Sequence, residues 1–272
     1  MELKFITNDY VLAWNLLFQP SYTTELNNMK QKLWENYKIE YNNTYKDKEL
    51  IFKDYKNFIP ENDLIYNIIF EKKQFEKIKT NTDKYKKELV YTWDSNKTKI
   101  NDILRKVLRK NIIPYDIFVV NKELNLLDAS INDNAAGTRG NLVIGKEDNN
   151  YINTILNIIL YALRKSIKTT PDKENITRSI IELAVLCELP TKLTKKSNYI
   201  SGNPDLIDLK RRIYPYWLMY LGVKVDDIPA YMQRDRIAFS MDNYKYDKSL
   251  SRIDIEEFID YIYNNIYKKN KL

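Results

Sequence analysis

Apolar residues recur at the spacing of an α-helix along most of this 272-residue chain, and this periodicity constrains its fold more than any other feature. A predicted helix over 151–167 is apolar on most of its circumference, so we expect it to be buried. The next predicted helix, over 173–189, ends at Pro190. A further regular stripe is formed by Ile100, Ile103, Leu104, Val107 and Leu108.

The segment from 115 to 145 departs from this helical pattern. Residues 115–120 and 124–129 are rich in β-branched, aromatic and other apolar residues, which favours two strands joined as an antiparallel hairpin. A third short strand is predicted over 142–145. The sequence therefore predicts an α+β fold, predominantly helical, with a small antiparallel sheet of about three strands in the middle of the chain.

The chain contains no internal repeat and no low-complexity linker, so we expect a single domain over 1–272. A seam near residue 110 would separate a helical N-terminal part, 1–110, from an α+β part, 111–272. No apolar run approaches the roughly 20 residues that a membrane span requires. We expect no targeting segment, no membrane association and a cytoplasmic location, and the oligomeric state stays open.

The chain has no histidine, which excludes every mechanism that depends on an imidazole. These mechanisms include Ser-His-Asp and Cys-His nucleophile systems and zinc sites with histidine ligands. The single cysteine, Cys187, lies among apolar residues and is expected to be an inert core thiol. Five glycines in the whole chain argue against a glycine-rich nucleotide loop. We therefore expect neither a metal nor a cofactor.

The order strand, strand, loop, strand, buried helix, second helix resembles the core of the zincin metallopeptidases. In that family two histidines at i and i+4 bind zinc from one face of a helix, and the glutamate between them activates water. Here Asn157 and Tyr161 hold the two ligand positions, and Ile158 holds the position of the general base. Glu182, on the following helix, matches a third ligand. The resemblance covers about 115–189 and implies an inactive zincin-like scaffold.

Such a scaffold would keep a cleft without its metal. A peptide could then add as a strand along 142–145, beside the helix that carries Asn157 and Tyr161. Leu142 and Ile144 would contact that peptide, together with Glu182. The alternative interpretation is an ordinary α+β domain, in which the polar residues of the helix simply have hydrogen-bond partners.

The loop 134–141 is a second candidate site, because two glycines give its backbone freedom and Thr138 and Arg139 could hold a phosphate or a carboxylate. It lacks the spacing of a phosphate-binding P-loop. A plain connection between strands is the alternative. An enzyme without histidine would have to use carboxylates near this loop, or pairs such as Asp226 with Asp227 and Asp235 with Arg234.

Basic residues with aromatic neighbours along 192–212 can bind nucleic acid through phosphate neutralisation and base stacking. The candidate residues are Lys192, Lys195, Lys196, Lys210, Arg211 and Arg212. The alternative is a solvated surface whose lysines, like the net charge of +7, reflect AT-rich codons. The sequence favours a non-catalytic protein that binds a peptide or protein partner, ahead of a nucleic-acid-associated protein and of a histidine-independent enzyme.

Overall fold

The computed structural model describes residues 1–20, 23–128, 139–146, 150–194, 200–235, 237–238 and 244–268. Within these residues the chain is predominantly helical with one small mixed sheet, so the predicted α+β class is confirmed. The strands are β1 (Leu3–Ile6), β2 (Tyr115–Val119), β3 (Leu126–Asp128) and β4 (Gly140–Gly145). The helices are α1 (Asp9–Phe18), α2 (Thr24–Asn36), α3 (Lys38–Lys46), α4 (Lys48–Lys53), α5 (Leu64–Phe70), α6 (Lys73–Leu108), α7 (Tyr151–Ser166), α8 (Glu174–Glu182), α9 (Leu189–Thr194), α10 (Ile207–Tyr220), α11 (Ile228–Arg234) and α12 (Ile255–Ile262).

The chain divides into two compact units. Unit 1 comprises Met1–Ser95 and Ile113–Ile158, and unit 2 comprises Asn96–Ile112 and Ile159–Leu272. Each unit therefore combines two separate stretches of the sequence. No helix among the described residues is long and apolar enough to cross a membrane.

The sheet lies in unit 1 and has the order β1-β2-β4-β3. Strand β2 runs parallel to both β1 and β4, while β3 runs antiparallel to β4. The predicted hairpin between β2 and β3 is wrong, since these two strands are not neighbours, and the sheet has four strands rather than three. All five residues of β2 are buried, as is typical of a parallel strand covered on both faces.

The core of unit 1 combines aliphatic side chains with several aromatic rings, and α1, α4 and α5 contribute to this cluster beside the sheet. Trp14 and Tyr66 are almost completely buried there, and Phe118 from β2 contacts the rings of Phe52 and Tyr55 edge-on. Edge-to-face pairs of this kind add to the stabilisation that burial itself provides.

The core of unit 2 forms where α10 packs against α8 and where Trp217, Tyr220 and Phe258 meet. Arg109, just after the end of α6, lies 4.1 Å from the centre of the Tyr220 ring. Its guanidinium donates hydrogen bonds to the carbonyl oxygens of Leu250 (3.2 Å), Ile253 (2.8 Å) and Tyr220 (2.5 Å). One arginine thus joins the end of α6 to two other segments of unit 2, the end of α10 and the stretch 250–253.

The predicted helix end at Pro190 is wrong, because the helical path continues from α8 through a π-helical segment, Leu183–Glu188, into α9. In a regular α-helix the ring of Pro190 would clash with the carbonyl group of Leu186. Because proline has no backbone N–H, it also could not donate a hydrogen bond to that carbonyl oxygen. The wider π-helical turn removes that conflict. The carbonyl oxygen of Leu186 accepts a hydrogen bond from the Ser201 hydroxyl at 3.1 Å instead.

Candidate functional site

Glu182, at the end of α8, is the centre of a buried charged network in unit 2. The carboxylate is 1% exposed, and its Oε1 accepts from Arg164 of α7 at 2.7 Å. Oε2 accepts from the ammonium group of Lys210 of α10 at 2.8 Å and from the backbone N–H of Asn203 at 3.0 Å. A buried carboxylate with two cationic partners is a satisfied structural group, with little capacity left for a metal or a substrate.

The loop before α10 fits closely around this carboxylate. Gly202 has a φ of +103°, and a Cβ atom there would lie 2.3 Å from Oε2 of Glu182. Ser201 places its carbonyl oxygen 2.6 Å from the Lys210 ammonium group. Lys210 is completely buried, so it cannot contact a nucleic-acid phosphate. The prediction that Lys210 belongs to a nucleic-acid surface is wrong, because its charge is used inside unit 2.

Cys187 lies within the π-helical segment and close to the same loop. Its sulfur accepts a hydrogen bond from the backbone N–H of Ser201 at 3.5 Å. Burial raises the pKa of the Cys187 thiol, which keeps it protonated at neutral pH. A protonated, buried thiol is a poor nucleophile.

The residues at the zincin motif positions lie on α7. Asn157 belongs to unit 1 and Tyr161 to unit 2, and both are partly buried, while Ile158 is completely buried. The Tyr161 ring lies 5.7 Å from the guanidinium carbon of Arg164. No group of three or more Cys, Asp or Glu residues in the described ranges is arranged to hold a metal ion.

The proposed peptide position along β4 is wrong. Strand β4 is an interior strand, because β2 pairs with one of its edges and β3 with the other. Leu142 is completely buried and Ile144 is 1% exposed, so both side chains belong to the core of unit 1. An incoming peptide would find β3 already paired along 143–145, and the side chains of Leu142 and Ile144 would not be accessible to it.

The loop candidate 134–141 is described only from Arg139 onward, and Thr138 lies outside the described residues. The Nε atom of Arg139 donates to the carboxylate of Asp116 on β2 at 2.6 Å. Side chains of both residues are largely shielded from solvent, at 28% and 11% exposure. Arg139 is therefore committed to an internal ion pair rather than presented to a phosphate.

Asp235 is engaged in the same manner. Its carboxylate accepts from the Tyr214 hydroxyl at 2.5 Å and from the guanidinium of Arg234 at 2.7 Å. Burial and this neighbouring carboxylate raise the pKa of Tyr214 well above its ordinary value. The tyrosine therefore stays a neutral donor. Each of these three carboxylates, Glu182, Asp116 and Asp235, is thus neutralised by an arginine or lysine of its own unit.

The other candidates along 192–212 have mixed placements. Lys192 pairs with Glu188 at 2.9 Å, and Arg211 pairs with Asp208 at 3.3 Å on the surface of α10. Arg212 is exposed. Lys195 and Lys196 lie outside the described residues. Exposed ion pairs of this kind are weak, so Lys192 and Arg211 can exchange their partners for phosphate groups.

The positive charge of the chain is concentrated in unit 2. Of its 44 lysines and arginines, 26 lie in unit 2 and 18 in unit 1, whereas the 37 aspartates and glutamates divide into 16 and 21. Unit 2 therefore carries a net charge of +10 and unit 1 a net charge of −3. A codon bias acts on the whole gene, so it does not account for this partition.

Part of this charge surrounds a cleft of about 530 Å³ in unit 2, which we call the lysine cleft. Lys110 and Lys173 form ion pairs with Glu256 (2.5 Å) and Asp260 (2.7 Å). Lys168 is exposed and has no ion-pair partner among the described residues. The cleft is lined by Lys110, Ser166, Lys168, Thr169, Thr170, Lys173, Glu256, Ile259 and Asp260.

Unit 1 has the opposite surface character. Of the nine large hydrophobic side chains that are exposed in the described residues, eight lie in unit 1 and only Tyr246 in unit 2. Three of them lie within six positions: Trp34 on α2, Tyr37 between the two helices and Ile39 on α3, with exposures of 45%, 37% and 74%. Clustered exposed hydrophobic side chains often mark a protein-binding surface.

The lysine cleft and the exposed α2 side chains were not found from the sequence. The cleft combines the ends of α6 and α7 with α12, and only the tertiary fold brings these segments together. The basic residues 105–110 and 164–168 were a usable signal, although basic residues in a last helical turn also stabilise the helix dipole.

No protein-family model, curated protein or solved structure matches this chain.

Proposed function

We propose that this chain is a non-catalytic protein that binds nucleic acid through unit 2. The observation that carries the proposal is the partition of charge, with +10 on unit 2 and −3 on unit 1. A domain with a strong positive excess attracts the phosphate backbone, and the release of counterions from the nucleic acid drives binding.

The exposed cations at the ends of two helices support this proposal. Lys165 lies in the last turn of α7 and Lys168 lies just beyond its end; both are exposed, as are Arg105 and Lys106 near the end of α6. Lys168 and the hydroxyl group of Thr170, which both line the lysine cleft, can bind the oxygens of one phosphate group. Unit 2 is thus proposed to read the backbone rather than the bases.

A nucleic acid is favoured over an anionic membrane because unit 2 has few exposed apolar side chains. A protein that lies on a bilayer buries an apolar face in the headgroup region. Tyr246 is the only large hydrophobic residue with an exposed side chain among the described residues of unit 2. Binding to phosphate groups in solution requires no such face.

Fluorescence anisotropy with labelled DNA and RNA oligonucleotides, over a range of salt concentrations, tests the proposal. We expect the logarithm of the affinity to fall linearly with the logarithm of the salt concentration. The variant Lys165→Glu/Lys168→Glu should bind more weakly and lower the magnitude of that slope by about 2.

The matched control is Lys84→Glu/Lys87→Glu, which makes the same change in net charge at two exposed positions of unit 1. This control should bind like the parent chain. An equal loss of affinity in both variants would contradict the assignment of binding to unit 2, because it would show that only the total charge matters. Binding to anionic vesicles but not to oligonucleotides would contradict the proposal.

A second function, the binding of a protein partner, is proposed for unit 1 on the basis of its exposed hydrophobic residues. Selection of displayed peptides against the full chain tests it. Enriched peptides that no longer bind a Trp34→Ser/Ile39→Ser variant would support this role. Failure to enrich any peptide, together with an absence of self-association, would contradict it.

A further inference from the structure

We propose that a groove beside α2 in unit 1 is an interface at which two copies of this chain pair through antiparallel α2 helices. This inference rests on the second proposed function and names its partner. The groove encloses about 690 Å³ and is lined by Glu25, Asn28, Met29, Lys32, Leu33, Asn36, Tyr37, Ile68, Glu71, Lys72 and Gln74.

The residues of α2 that line the groove follow the spacing of a helix-pairing seam. They recur at intervals of three and four, which places them along one face of the helix. Leu33 is buried in the core of unit 1, so the apolar part of the groove is supplied by the partly buried Met29 together with Tyr37 and Ile68. The helix has 13 residues and is about 20 Å long, so an occupant of matching shape is another helix. The seam consists of Glu25, Asn28, Met29, Lys32, Leu33 and Asn36.

The charges along this seam are complementary to themselves in one orientation only. Glu25 and Lys32 are seven residues apart and lie on the same face, with Asn28 and Met29 halfway between them. In an antiparallel pair with its two-fold axis beside these central residues, Glu25 of each copy faces Lys32 of the other. A parallel pair would oppose like charges at both positions.

Both charged side chains are available for this contact. Glu25 and Lys32 are exposed, and neither forms an ion pair or a hydrogen bond with any described residue. Of the residues of α2, only Leu26 and Leu33 are buried, so most of this helix faces solvent. A second copy would cover the partly buried Met29 and the exposed side chain of Tyr37 in unit 1.

Sedimentation-velocity measurements on the full chain, over a wide range of protein concentration, test this interface. We expect a reversible dimer. Glu25→Lys and Lys32→Glu should each weaken dimerisation by about tenfold or more, because each replaces two attractive pairs with two repulsive ones. An equimolar mixture of the two variants should restore a dimer, since every pair in that heterodimer is again of opposite sign.

The doubly substituted chain Glu25→Lys/Lys32→Glu should also dimerise like the parent. Glu35→Lys is the matched control, because Glu35 is exposed on α2 but does not line the groove. Far-ultraviolet circular dichroism verifies that each variant is folded. A parent chain that stays monomeric, a dimer insensitive to both reversals, or a mixture that fails to restore association would each overturn the inference. If displayed peptides bind unit 1 while the parent stays monomeric, the protein-binding role stands and the dimer is refuted.

Discussion

Removing the buried cation Lys210 is expected to destabilise unit 2 strongly. In the variant Lys210→Met the methionine replaces the methylene chain, but the carboxylate of Glu182 loses an ammonium partner at 2.8 Å. The carbonyl oxygen of Ser201 loses its donor as well. Breaking a buried ion pair by removing one partner costs about 3–5 kcal/mol. Since Arg164 and the Asn203 backbone still bind Glu182, we expect the lower value, about 3 kcal/mol.

Removing the carboxylate of Glu182, the other partner in this ion pair, should cost more. Glu182→Gln leaves Lys210 completely buried without an anionic partner, and Arg164 loses its carboxylate as well. We expect a loss of about 4 kcal/mol in the free energy of unfolding. In the double variant the two losses should not add, because both remove the same pair, and a coupling energy of about 1–3 kcal/mol is expected.

Urea unfolding, followed by circular dichroism and by tryptophan fluorescence, gives these free energies from the transition midpoint and slope. Coincident transitions in the two signals justify a two-state treatment. A loss below about 1 kcal/mol for Lys210→Met would refute the reasoning, because a buried carboxylate that loses one of its two cationic partners should not be tolerated so well. Strict additivity in the double variant would show that the two side chains do not interact.

Three further changes test the fold of the two units. Gly140→Ala should destabilise unit 1 by about 1–3 kcal/mol in urea unfolding, since the new Cβ would lie 2.2 Å from the Tyr115 ring, and an unchanged midpoint would contradict this. Burial raises the pKa of Asp47, so the ionised carboxylate lowers the stability of the folded state at neutral pH. The variant Asp47→Asn removes that charge and keeps an acceptor for the Tyr66 hydroxyl, so it should be stabilising at neutral pH. In a pH series of thermal unfolding, the stability gained by the variant should disappear below the ordinary carboxyl pKa. A difference between variant and parent that stays constant with pH would contradict this prediction. Arg109→Ala should lower the unfolding free energy by about 3 kcal/mol, because three charged hydrogen bonds to carbonyl groups are lost, and calorimetry that shows no change would refute this role.

The sequence predicted those helices and strands that depend only on side chains close to one another along the chain. The apolar stripe of α6 and the strand character of β2 both depend on side chains close in sequence, and both were found. These features need no information about the tertiary structure.

Features that depend on distant contacts could not be predicted. Strand β1 lies more than 100 residues before β2, its parallel partner, and its four residues carry no turn signal that marks them as a strand. The carbonyl oxygen of Leu186, to which Pro190 cannot donate, accepts from the Ser201 hydroxyl, 15 residues further along the chain. The low helix propensity of proline predicts a helix end at Pro190, but the helical path continues, and the Ser201 hydroxyl satisfies the carbonyl oxygen of Leu186.

The candidate sites show the same difference. Glu182 and Lys210 were assigned to separate hypothetical surfaces, and the structure joins them in one buried ion pair. No local pattern in the sequence shows that these two residues are partners. The charge partition, by contrast, required only the boundaries of the two units, which the order of segments along the chain does not reveal.

Lysine acetylation, read by mass spectrometry with and without a bound oligonucleotide, tests the central claim most directly. Modification by a water-soluble acylating reagent reports the accessibility of each exposed lysine in the folded chain. We predict that nucleic acid protects Lys165 and Lys168 of unit 2 and leaves Lys84 and Lys87 of unit 1 as reactive as before. Equal protection in both units, or protection confined to the lysines of unit 1, would contradict the assignment of binding to unit 2.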